Sequence, residues 1–191
     1  MGTFVALLRS INVGGRNRVP MSDLGDLVRS LGFGNVETYL QSGNVVFTGS
    51  GAPAGVGRAL EEGIRTRFGL EVPVVVRSKP QLARVVKGNP YAGLGADPTT
   101  VHVTFLARAP DPAHREELVR LGAESGPGGA YGDDRMTPVG VDIYLYCPGG
   151  YGETKLTNAF VERRSGAVAT TRNWRTVTAL AGMVGIEAPG I

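Results

Sequence analysis

Cysteine is almost missing from this chain. Cys147 stands alone, which excludes an internal disulfide framework and any cysteine-cluster zinc site. His102 and His114 are the only histidines, too few for a histidine-based metal centre. No apolar run approaches ~18 residues, so no membrane-spanning helix is expected. The opening MGTFVALLRS lacks a leading basic stretch and reads as a strand rather than a secretory signal. Catalytic signatures are equally scarce. There is no G-x-S-x-G elbow, no H-E-x-x-H pair, no D-x-D-type metal cluster, no G-x-G-x-x-G fingerprint and no Gly-Lys-Ser/Thr phosphate loop. These absences point to a cytoplasmic protein in a reducing compartment, with no metal, no cofactor and no membrane partner.

What is abundant is glycine and arginine. Glycine supplies 29 of 191 residues, about twice its usual share. The basic residues are 17 arginines and only three lysines, Lys79, Lys87 and Lys155. A hydrophobic fraction of 42% is enough to build a core and excludes wholesale disorder. The net charge of +3 hides an uneven spread: residues 1–90 carry +5, residues 91–150 carry −4 and residues 151–191 carry +2. Either the surface is simply mixed, or the two basic ends assemble one positive face.

Hydrophobic periodicity organises the first half. Thr3–Arg9 is a short apolar run, expected to be a strand buried on both faces. Leu24, Leu27, Val28 and Leu31 mark a helix over Met21–Leu31, with Ser22 as a candidate N-cap and Gly32 as its stop. Val36–Gln41 and Asn44–Thr48 flank Ser42-Gly43 as a hairpin. A second helix over Val56–Phe68 and a strand over Val72–Arg77 follow, and Pro80 opens a short helix over Gln81–Lys87. The order β-α-β-β-α-β defines an α+β, ferredoxin-like domain over residues 1–92. That topology brings Asn12–Val19 beside Gln41–Asn44 at one sheet edge.

Residues 93–191 read as a second α+β subdomain packed on the first, with the boundary near Gly93–Pro98. It looks like a degraded β-α-β-β copy. Strand Val101–Ala107, helix Pro112–Leu121 and a hairpin of Arg135–Pro138 with Val141–Tyr146 are followed by two C-terminal helices, Lys155–Arg164 and Asn173–Val184. No fourth strand is evident, and no residue-level repeat links the halves.

Four segments concentrate polar groups. In the first, Arg9, Asn12, Gly14, Gly15, Arg16 and Arg18 follow a strand and precede a helix. Adjacent glycines can turn backbone N–H groups outward, and guanidinium forks suit anions; the plain alternative is a long connection with turn-forming residues. In the second, Gln41, Ser42 and Asn44 are either ordinary turn chemistry or the walls of a pocket beside the first loop. The third places Lys155, Asn158 and Glu162 on one side of a helix entered from a glycine loop, a natural anion site or a solvated face. The fourth holds Thr171 as a candidate N-cap, with Arg172, Asn173 and Arg175 available to phosphate or merely wet. Trp174, Val177, Ala181 and Val184 have core-facing spacing. His102, His114, the Asp133-Asp134 pair and Cys147 read as structural or solvated.

The runs Leu8–Gly15, Tyr39–Phe47, Lys155–Asn158 and Ala169–Val177, taken in order, resemble the signature blocks of the bacterial family called domain of unknown function 1697. The resemblance implies a compact α+β protein with a ferredoxin-like portion. It implies no activity and no assigned catalytic residues.

Three functional readings follow. The leading one is a binding protein for an anionic, phosphate-bearing ligand, nucleic acid or nucleotide, held by basic glycine-rich loops. The second is a small enzyme acting on a phosphorylated or carboxylated metabolite, with Lys155 as electrophile or positioning cation and Arg16, Arg18 and Arg172 as a clamp. The third is a protein-interaction module, compatible with a homo-oligomer built on the apolar first strand.

Overall fold

The structure is a computed structural model and describes residues 1–15 and 17–188. Two compact units divide it: residues 1–84 with 180–186, and residues 85–179 with the last described residues. Among the described residues no helix is long and apolar enough to cross a membrane.

The first unit runs β1 (Gly2–Leu8), α1 (Met21–Ser30), β2 (Gly34–Tyr39), β3 (Asn44–Gly49), α2 (Pro53–Phe68) and β4 (Val74–Ser78), and continues into α3 (Lys79–Lys87). Its sheet has the order β2-β3-β1-β4 with every pairing antiparallel, as a split β-α-β arrangement requires. Local chemistry sets the boundaries. Pro53 sits in the first turn of α2, where a missing N–H costs nothing. Gly69 ends that helix at φ +67, returning its N–H to the Arg65 carbonyl at 2.9 Å. Ser22 lies inside α1 and does not cap it; the cap position is Pro20, with no side-chain hydrogen bond. One sheet face carries Phe4, Ala6, Leu8, Val45, Phe47, Val74 and Val76 against Leu24 and Val28 of α1 and Leu60 and Ile64 of α2. The opposite face of β1 is buried as well, with Val5 and Leu7 each 1% exposed.

The second unit runs β5 (Val101–Leu106), α4 (Pro112–Ala123), β6 (Arg135–Val139), β7 (Asp142–Tyr146), α5 (Asn158–Ser165) and β8 (Ala169–Asn173), and leads into α6 (Trp174–Met183). Here the sequence-based expectation needs correction. The fourth strand exists: β8 pairs antiparallel with β5, and the order β6-β7-β5-β8 repeats that of the first unit. Ala-Thr-Thr-Arg-Asn lacks apolar alternation, so its strand character comes from pairing rather than pattern. The Thr171 and Thr104 hydroxyls lie 2.7 Å apart across the two strands. Thr171 is therefore not a helix cap. Asn173 caps α6, its Oδ1 accepting the Thr176 N–H at 2.9 Å. Helix α5 likewise begins at Asn158 rather than Lys155. Thr154 Oγ1 accepts the Leu156 N–H at 3.1 Å and holds the chain out of helix, and Thr157 then caps by accepting from the Phe160 N–H at 3.2 Å. Lys155 consequently shares no helix face with Asn158 and Glu162.

The registers reveal a residue-level equivalence that the sequence hides. Val5 sits between Val46 and Arg77; Val103 sits between Tyr144 and Arg172. Each fourth strand thus places one buried arginine beside the same central position, at 5% and 8% exposure. In the second unit Leu106, Ile143, Leu145 and Ala169 pack against Leu118 and Leu121 of α4 and Phe160 and Val161 of α5.

The outer strand β6 is closed to further pairing. Ser125 Oγ accepts the Met136 N–H at 2.8 Å and donates to the Gly122 carbonyl at 2.7 Å, and Pro138 has no N–H. The same contact explains Gly122 inside α4. Alanine is normally favoured over glycine in a helix by ~1 kcal/mol. A Cβ at Gly122 would instead meet the Met136 carbonyl oxygen at 2.8 Å and Pro138 Cδ at 3.1 Å. Gly122→Ala should therefore destabilise the protein by about 1–3 kcal/mol, read as a lower urea midpoint; a higher midpoint would contradict the close approach.

Candidate functional site

One corner of the first unit gathers most of the backbone strain. Among the described residues five non-glycines have positive φ, and four of them lie here: Ser10 (+54°), Asn12 (+54°), Asn17 (+48°) and Leu40 (+58°). Gly14 and Gly15 add φ of +58° and +75°, with open space where a side chain would be, so conformation rather than room calls for glycine. The corner is formed by the loop after β1 and the turn between β2 and β3. The Asn12 side chain ties them together. Its Nδ2 donates to the carbonyls of Val19 at 3.0 Å and Gln41 at 2.9 Å, and its Oδ1 accepts the Val19 N–H at 2.9 Å. Asn17 Nδ2 donates to the Ser10 carbonyl at 3.1 Å. The Leu8 N–H reaches the Gly43 carbonyl at 2.8 Å. At Gly43, with φ +79, a Cβ would lie 2.6 Å from Ile11 Cδ1.

The structure thus brings the first two polar segments together, and it also shows what their side chains do. Asn12 is committed to backbone groups. Asn44 is fully buried, donating from Nδ2 to the Tyr39 carbonyl at 2.8 Å and to Ser42 Oγ at 3.2 Å. Gln41 and Ser42 lie exposed on the turn, and Gly14, Gly15 and Arg18 are exposed on the loop. Arg9 is half-buried, with Nη1 donating to Ser10 Oγ at 3.3 Å. Arg16 lies outside the described residues.

The other two segments meet in the second unit around a hydroxyl. Thr171 Oγ1 donates to Asn158 Oδ1 at 2.7 Å, receives the Tyr151 hydroxyl at 3.2 Å, and pairs with Thr104 at 2.7 Å. The Tyr151 ring lies 4.8 Å from the His102 imidazole, centroid to centroid. His102 Nδ1 is 3.3 Å from the Thr100 carbonyl. Burial holds this imidazole below its ordinary value, so it is neutral at pH 7. Lys155 is exposed, as is Arg175, whose backbone N–H reaches the Pro98 carbonyl at 3.4 Å. Asn173 is spent on the α6 cap. Arg172 is buried, which lowers its guanidinium to about 10, and its Nη1 donates to Thr170 Oγ1 at 2.8 Å and the Thr171 carbonyl at 2.9 Å.

Sequence reasoning passed over Tyr151 and Thr104 and read His102 as structural. For the strand residues the register supplies the missing signal, because their positions are apolar in the other unit: His102 and Thr104 stand where β1 has Phe4 and Ala6, and Thr171 where β4 has Val76. Cys147 is buried, and burial pushes its thiol up to about 11, so it is an inert thiol at neutral pH. Trp174 is core, at 1% exposure. Asp134 is not solvated as expected; its Oδ2 accepts from Thr154 Oγ1 at 2.5 Å. Among the described residues no group of three or more His, Cys, Asp or Glu side chains is placed to hold a metal.

Two measurements test these assignments. Asn12→Asp keeps an acceptor for Val19 but turns a carboxylate toward two carbonyl oxygens. It should cost about 1–3 kcal/mol and speed hydrogen exchange in residues 10–19; unchanged exchange would mean the amide does not hold the loop. For His102, a folded value below the ordinary 6.5 means that its stabilising contribution is full above pH 6.5 and is lost as pH falls through the folded value. Urea midpoints recorded from about pH 7.5 down to about 5 should fall more steeply for the wild type than for His102→Gln. Parallel curves would remove His102 from the acid response.

No curated protein matches the chain. Among solved structures it is similar to a conserved bacterial protein, SP0830, from Streptococcus pneumoniae, with a TM-score of 0.72 and 22% sequence identity, covering 96% of this chain and 98% of the other. That likeness is one of fold. The model of the family described as "Protein of unknown function (DUF1697)" matches residues 1–135. With well over half the chain matched, including the strained loop and the hairpin turn, the protein belongs to the DUF1697 family.

Proposed function

We propose that the protein binds an anionic, phosphate-bearing ligand at the corner formed by residues 9–18 and 40–44. The observation that carries this reading is the concentration of strain there. Residues held at positive φ cost about 1–3 kcal/mol each and persist where surrounding structure over-determines them, most often at ligand sites. Four of the five in the described chain sit in this exposed corner. Beside them stand an exposed Arg18 and a half-buried Arg9. A glycine-bent backbone with guanidinium groups suits phosphate oxygens. The Asn12, Asn17 and Asn44 amides face inward, so, apart from the exposed Gln41, what remains outward recognises charge rather than base identity.

A titration with fluorescein-labelled single-stranded RNA and, separately, a nucleoside triphosphate tests the reading across a salt series. Affinity should fall with salt, by a log–log slope of about −0.7 for each strand phosphate neutralised. A slope of several such steps with RNA identifies a nucleic-acid site; tight triphosphate binding with a slope of one or two identifies a nucleotide site. Arg18→Ala should weaken either by about tenfold or more. Salt-independent binding, or an Arg18→Ala variant with wild-type affinity, would defeat the proposal.

A further inference from the structure

The second unit contains a cavity of about 450 Å³ that none of the polar segments uses. It lies between the turn at residues 90–94 and β6, with walls from Pro90, Tyr91, Leu94, Arg135, Met136 and Thr137 among others. Its size falls in the ~300–1,000 Å³ range of small-molecule sites. Most of the lining is apolar or backbone, and Arg135 is its only charged residue.

Arg135 is arranged for recognition rather than for structure. It is half-buried, and its guanidinium carbon lies 5.8 Å from the centre of the Tyr146 ring. A guanidinium stacked on an aromatic face loses little freedom on binding and keeps its fork available. Among the described residues no carboxylate pairs with it. The neighbouring Asp134 carboxylate receives Thr154 instead.

A second polar element faces the same cavity. The Tyr91 and Thr137 hydroxyls lie 2.9 Å apart. That pair consumes one of its two hydroxyl hydrogens, leaving the other to donate outward. Burial raises the Tyr91 phenol above its ordinary value, so it stays protonated. Ser125, also in the wall, contributes nothing to recognition because its hydroxyl is occupied by Met136 and Gly122. The cavity therefore presents one cation and one spare hydroxyl hydrogen, with Leu94 and Met136 among its apolar contacts.

We propose that this cavity binds a small organic monocarboxylate. A single guanidinium fork matches a carboxylate in charge and geometry. A phosphate dianion would bring a second negative charge that no other cation in the lining answers.

The test titrates the full-length protein with 3-phenylpropionate, its uncharged amide and inorganic phosphate, followed by NMR of backbone amides in residues 90–94 and 135–137. The carboxylate should shift those amides and bind about tenfold or more tightly than the amide. Phosphate should not displace it. Arg135→Gln should weaken the carboxylate by about tenfold or more and leave the amide unchanged. Equal affinity for acid and amide, displacement by phosphate alone at equal concentration, or no shift with any probe would each overturn the proposal. The acid–amide comparison uses unaltered protein, so it decides the matter even where the variant folds poorly.

Discussion

In each unit the central strand is hydrogen-bonded along both edges and buried on both faces. From Phe4 to Leu8 and from Val101 to Leu106 no residue turns to water. This constraint shapes everything around it. Central strands must be apolar or carry polar groups that find partners inside. The outer strands and helices then inherit their positions from the register of that strand. Along β1 the requirement is met by hydrocarbon. Along β5 it is met partly by hydrogen bonds, because His102 and Thr104 occupy positions that are Phe4 and Ala6 in the other unit. Buried polar groups cost stability unless fully satisfied. Thr171 shows the satisfaction in detail, donating to Asn158 while receiving from Tyr151. The chain thus contains its own control: the same fold is built once without this network, so the network is not what the fold requires.

The two buried arginines give the repeat its firmest mark. Arg77 and Arg172 flank Val5 and Val103 at matching register. An arginine buried to this degree is expensive, and its recurrence in two strands that otherwise share little sequence argues for a common plan of construction. Valine dominates β4 and threonine dominates β8, which is why self-comparison of the sequence finds nothing. The identity lies in register, and register is invisible until strands are paired.

Apolar periodicity was enough to place α1, α2, α4 and the β2–β3 hairpin, because each buries a face with regular spacing. Topology was enough to bring residues 12–19 beside residues 41–44, since the strand order forces that edge together. What periodicity could not supply was β8, whose threonines satisfy themselves across the strands, or the late start of α5, which depends on two threonines capping in succession. The destinations of Asn12 and Asn44 were equally unreadable. An asparagine beside a turn can bond outward to a ligand or inward to a carbonyl, and only the backbone angles decide. At φ +54 the Asn12 amide points back into the corner and closes on Val19 and Gln41.

That inward commitment shapes what the corner can recognise. A loop with several left-handed residues has many competing conformations unless something over-determines it. Here the lock is a side-chain amide imitating a strand partner, exchanging both a donor and an acceptor with Val19. Conformational entropy is paid on folding, so on the proposed reading a ligand would meet a preformed surface. The same economy removes Asn12 and Asn44 as readers of a base edge. Guanidinium groups and bent backbone remain, groups suited to charge and to the spacing of oxygens. On the proposed reading, discrimination among phosphate-bearing ligands therefore falls to the turn at residues 40–42. There Leu40 is held at φ +58 with half its surface exposed, an apolar contact within an otherwise polar turn.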